Sequence, residues 1–154
     1  MANASVEIIQ ALRNTAKRIN QTKGAYNWKH LGTCNCGNLV QEVTGQNAKQ
    51  IHLEGIKKHG DWEMLVYLYN ESSTYKIDQT IKYLVDLGFT LDDIVQLENL
   101  NNQSILNRIG INNKVLQRDN KYDVILYLET WANILEEELI EQIDVEQEMY
   151  ADLI

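Results

Sequence analysis

Proline is absent from all 154 residues, where average usage of about 5% would place seven or eight. A chain without the residue that locks φ and removes a backbone donor carries no obligatory helix breaks. Glycine occurs 8 times, mainly where periodic segments end, and phenylalanine once. There are 2 cysteines, Cys34 and Cys36. A bond between residues so close in sequence would close a very small strained ring, which excludes the stapled framework of a small secreted domain. The thiols are therefore expected to be reduced and the compartment cytoplasmic. No apolar run approaches the roughly 18 to 20 residues of a membrane span; the densest, residues 62–69, contains Glu63. Over residues 1–20, Glu7, Arg13, Lys17 and Arg18 are spread through an amphipathic pattern. That is not a basic segment leading into an apolar one, so no export signal is expected.

Base is also missing from the last fifth of the chain. All 14 Lys and Arg lie in residues 1–121. Residues 122–154 carry only acids: Asp123, Glu129, Glu136, Glu137, Glu138, Glu141, Asp144, Glu146, Glu148 and Asp152. The formal net charge of −8 is thus concentrated at one end. Such a surface repels phosphate backbones and suits a basic protein partner, so a protein partner is expected and nucleic acid is not. Arg13, Lys17 and Arg18, with Lys23 and Lys29, supply a basic face that can dock the acidic segment or a partner.

What is present reads as helix. Val6, Ile9, Leu12, Ala16 and Ile19 repeat at helical spacing behind Ser5 as N-cap. Residues 21–34 lack a period and hold Tyr26, Trp28 and His30, an ordered surface loop whose two aromatics need something to pack on. Leu39, Val40 and Val43 give a short helix ending at Gly45. Asn47 caps a further helix through Ile51, Leu53 and Ile56, with Glu54 and Lys58 one turn apart, extending to Gly60. The dense run at 62–69 has helical neighbours and no hairpin partner, which favours helix over strand. Two more helices follow, one closed by Gly88 and one opened by Thr90, Asp92 and Asp93; then comes a short one ending at Gly110.

The longest helix is expected over about residues 120–142, with Val124, Leu128, Trp131, Leu135 and Leu139 on one stripe. The expected fold is an all-α, single-domain bundle of about six to eight helices closed by a long acidic C-terminal helix. Residues 1–143 form the helical domain and residues 144–154 an acidic tail, either docked or disordered.

One segment concentrates chemistry: residues 26–38 hold both cysteines, His30, Tyr26 and Trp28. With Asn35 as cap, Cys36 would open a helix, where unpaired N–H groups favour a thiolate and lower its pKa. Three readings follow. Cys34 and Cys36 with His30 and either His52 or His59 would supply the four N/S ligands of zinc, although a C-x-C spacing is tighter than structural zinc sites use. Cys34 or Cys36 with His30, His52 or His59 as base would suit acyl transfer, or the pair would exchange disulfides. Alternatively both cysteines are core residues among turn and cap positions. His52 and His59, seven apart, would share a face if one helix held both. No phosphate-cradling loop, G-x-S-x-G, H-E-x-x-H or Glu-x-x-His pair is present. The paired short segments about residues 97–110 offer Asn107 and Arg108 beside Glu98, too few donors for a DNA-reading helix. The leading expectation is a non-enzymatic interaction module. The alternative is a Cys/His site, metal-binding or thiolate-based, centred on His30, Cys34 and Cys36.

Overall fold

Every helix but the fifth, whose N-cap Tyr75 makes no side-chain bond, begins where a short polar side chain takes an orphan backbone donor. In the computed structural model, which describes residues 1–21, 25–110 and 115–153, Ser5 Oγ accepts the Ile8 N–H at 3.2 Å and starts α1 (Val6–Gln21). Cys34 starts α2 (Asn35–Thr44), which Gly45 closes in the left-handed region at φ 74°. Asn47 and Gln50 form a capping box for α3 (Ala48–Ile56), and Asp61 caps α4 (Trp62–Tyr67). Then come α5 (Lys76–Leu87), α6 (Leu91–Asn99) behind the Thr90/Asp93 box, α7 (Gln103–Ile109) behind Asn102, and α8 (Lys121–Asp152) behind Asn120. These eight helices, with no strand among the described residues, make the expected all-α bundle.

The core has two layers of contact. α1 lies along the first half of α8, burying Ile8, Leu12 and Ile19 on one side and Val124, Leu128, Trp131 and Leu135 on the other. Arg13 Nη1 clamps the pair by donating to Glu136 at 2.6 Å, so part of the basic face of α1 does dock the acidic helix. Lys23 lies outside the described residues. α2 is the hub: it packs against α1, α3, α5 and α6, and its first four residues, Asn35 to Asn38, are all buried. A helix surrounded on so many sides has no solvent face at its start, and this fixes the environment of both cysteines.

Two local expectations are corrected. α3 stops at Ile56 and does not continue to Gly60. Lys58 is drawn away to Asp78, whose carboxylate it meets at 2.6 and 2.8 Å, and to the Leu68 carbonyl at 2.7 Å. Glu54 pairs with Lys57 instead. α8 passes residue 142 and ends at Asp152, because residues 143–152 hold no glycine or proline and several strong helix formers. Leu135 is its last buried side chain and residues 141–153 are exposed throughout; Ile154 lies outside the described residues. Among the described residues no helix is long and apolar enough to cross a membrane.

Candidate functional site

The residues 26–38 segment is held by a buried amide. Asn35 Nδ2 donates to the carbonyls of Leu97, Glu98 and Arg118 at 3.0–3.1 Å, joining the start of α2 to the end of α6 and to the chain before α8. Tyr26 Oη donates to Asn35 Oδ1, and burial raises this phenol above its ordinary pKa. Two glycines permit the close approach of the loop. A Cβ on Gly32 would stand 2.0 Å from the Ala48 carbonyl oxygen, and one on Gly37 2.3 Å from that of Leu31.

Cys34, and not Asn35, is the N-cap of α2: its Sγ accepts the Gly37 N–H at 3.3 Å. Cys36 sits one residue into the helix and its Sγ donates to the Ile94 carbonyl at 3.0 Å. Both thiols are free and buried. Burial first, and the Glu98 carboxylate second, push both thiols well above their ordinary range. The expected lowering is therefore reversed: desolvation beside a carboxylate outweighs the partial positive charge of a helix start.

Glu98 is the residue that sequence reasoning passed over. It lies on α6 one turn after Ile94, on that helix's buried face, and is 5% exposed. Its Oε1 accepts the Cys36 N–H at 3.1 Å. Desolvation lifts the carboxyl to about 7, against the lowering effect of the Cys36 N–H and the two thiols. At neutral pH this group can give or take a proton.

Glu98 lines the edge of an open cleft of about 430 Å³ formed with Trp28, Lys29, Asp61, Trp62 and Arg118, among others. The half-buried Trp28 donates its Nε1–H to the Glu98 carbonyl at 3.2 Å, so the aromatic did find its packing partner. The Arg118 guanidinium stacks 4.3 Å over the Trp28 ring and donates to Asn99 Oδ1 at 2.9 Å. Trp62 points inward, its Nε1 donating to the Leu31 carbonyl at 2.9 Å. Helical periodicity gives one signal for Glu98, an acid at i+4 from Ile94; Arg118 and Asp61 join the cleft through long-range packing alone.

Both thiols bond to backbone groups, and no hydrogen bond joins either of them to an imidazole among the described residues. His30 and His52 stack, ring centroids 4.1 Å apart. Each Nδ1 accepts a backbone N–H, from Gly32 and Leu31 respectively. Burial, then His52, lowers the His30 pKa. With Nδ1 taken, the proton of each neutral ring sits on Nε2. His59 stands exposed beyond the end of α3, so it does not share a helical face with His52. Among the described residues no three His, Cys, Asp or Glu side chains are grouped so as to hold a metal ion. Comparison with known proteins finds no matching family model, no matching curated protein and no matching solved structure.

Proposed function

We propose that the protein is a non-enzymatic interaction module that presents the free end of α8 to a basic, amphipathic helical segment of a partner protein. The observation that carries this is the continuation of an apolar stripe past the body that buries it. Leu139, Ile143, Tyr150 and Leu153 share one face of α8 by their spacing. Tyr150 is 72% and Leu153 82% exposed. Glu137, Glu141, Asp144, Glu148 and Asp152 repeat on the opposite face, while Glu146 and Val145 each interrupt the face they sit on. Residues 141–152 extend for roughly 18 Å at the helical rise, enough to receive several turns of a partner.

Charge selects the occupant. Arg13 and Arg108 pair with Glu136 and Glu137, and beyond Lys121 the chain supplies no further base to the acids that follow. A second copy docking stripe on stripe would bring together two helices of the same acidic charge, which repel at long range, whereas a basic helix gains long-range attraction and a place to bury its own apolar stripe.

The test is calorimetric titration of the full chain with a synthetic amphipathic helix of Leu and Lys, and with its Leu and Glu counterpart. The reading expects one basic peptide per chain with an affinity on the order of micromolar, weakened by salt. Ile143→Ser, Tyr150→Ser and Leu153→Ser together keep every charge and should abolish binding. Unchanged affinity in that triple variant, equal binding of the acidic peptide, or dimerisation through α8 seen by light scattering would overturn it.

A further inference from the structure

The cleft between the residues 26–38 loop, the start of α4 and the end of α6 holds charges of both signs apart. Lys29 and Arg118 stand with Asp61, Glu63 and Glu98 around one gap of about 430 Å³. None of these five forms an ion pair with another among the described residues. Some opposite charges elsewhere do pair even on the exposed surface, as Lys82 does with Asp86 at 2.7 Å and Lys57 with Glu54 at 2.9 Å. Three of the cleft groups are held in place by other bonds. Asp61 is committed to capping α4 through the Glu63 N–H at 3.0 Å. Arg118 is fixed on Trp28 and Asn99. Glu98 is fixed by the Cys36 N–H. Opposite charges held separate around a gap are satisfied by water or by a molecule that carries both.

We propose that this cleft is a binding site for a small zwitterion of the amino-acid type, a free amino acid or dipeptide. Its ammonium faces Asp61 and Glu63, its carboxylate faces Lys29 and the Arg118 guanidinium, and the Trp28 indole forms the wall between. The volume lies within the range of small-ligand sites. A guanidinium suits a carboxylate because its donors are arranged as a fork. Trp28 adds an apolar surface that a methyl or methylene group can cover. A singly charged molecule meets one favourable side of the cleft and one unfavourable one, so the site rejects it by the charge it leaves unpaired. This site is independent of the end of α8, and neither proposal requires the other.

The experiment follows the signals of the Trp28 indole and of the amide of Gly60, which also lines the cleft, by ¹H–¹⁵N correlation of the full chain during titration with L-alanine and with L-alanyl-L-alanine. N-acetylalanine and alanine amide each lack one charge. Saturable shifts of both signals by at least one zwitterion at about 10 mM or below are expected, with each charge-deleted analogue at least tenfold weaker. Lys29 is exposed, so Lys29→Glu should leave the fold intact and reverse the preference toward alanine amide. The proposal fails if no zwitterion produces saturable shifts, if the charge-deleted analogues bind equally well, or if Lys29→Glu leaves the preference unaltered. A spectrum otherwise superposable on wild type establishes that the variant is folded.

Discussion

Glu98 Oε1 accepts the backbone N–H of Cys36 at 3.1 Å across 62 residues of sequence, and this bond joins the end of α6 to the first turn of α2. It places a carboxyl beside two thiols at a point with little access to water, and the state of each group follows from that.

The first consequence is a dependence of stability on pH. The folded carboxyl titrates at about 7 against an ordinary 4.5. Below the ordinary value both states are protonated and the site contributes no difference. As pH rises, the unfolded chain releases this proton while the folded chain retains it, so stability falls through the interval and the loss is complete above 7. The shift corresponds to about 3 kcal/mol. Glu98→Gln keeps an acceptor for the Cys36 N–H and removes the charge. Urea unfolding should find the variant close to wild type at pH 4 and more stable by about 2–3 kcal/mol at pH 8. Equal differences at the two pH values would show that Glu98 does not titrate in this way.

The thiols should be inert. With both pushed well above their ordinary range and buried, iodoacetamide at neutral pH should label neither Cys34 nor Cys36 in the native protein and both after denaturation, as read by mass. The capping role separates the two. Cys34→Ser offers an oxygen to the Gly37 N–H and should cost under about 1 kcal/mol, while Cys34→Val loses the cap and should cost about 1–2 kcal/mol more. Rapid native labelling of Cys36 would restore the thiolate reading.

The departure of Lys58 from its own helix also has a measurable cost. Asp78 is 1% exposed and takes both its short contacts from Lys58. Lys58→Met leaves a buried carboxylate without its partner and should destabilise by about 3–5 kcal/mol. Adding Asp78→Asn should recover more than half of that. By contrast, breaking the exposed Lys82–Asp86 pair should change stability by under about 0.5 kcal/mol. Similar losses for the two pairs would mean that burial does not set their worth.

Local signals account for how much of this was readable in advance. The caps at Ser5, Asn47, Thr90 and Asn120 and the stops at Gly45, Gly88 and Gly110 are short-range chemistry, and each marks a helix end where expected. The aromatic and cysteine segment was legible as unusual, and its packing need was met by the Glu98 carbonyl and Arg118. Its electrostatics were not legible, because the decisive neighbour of Cys36 lies on α6 and the burial of α2's first turn depends on four surrounding helices. The same holds for Lys58: its i,i−4 partner is visible in sequence, and its buried partner on α5 is not. The end of α8 illustrates the opposite case, since intrinsic propensity alone carries the helix where packing has ceased.

The claim that the end of α8 is a presented surface, and not part of the fold, is tested most directly by ending the chain after Ile140. Residues 141–153 are exposed throughout, so the account predicts a melting temperature unchanged from the full chain together with complete loss of calorimetric binding to the basic Leu and Lys helix. A truncated chain that melts far below the full one, or that still binds the basic helix with undiminished affinity, would contradict it.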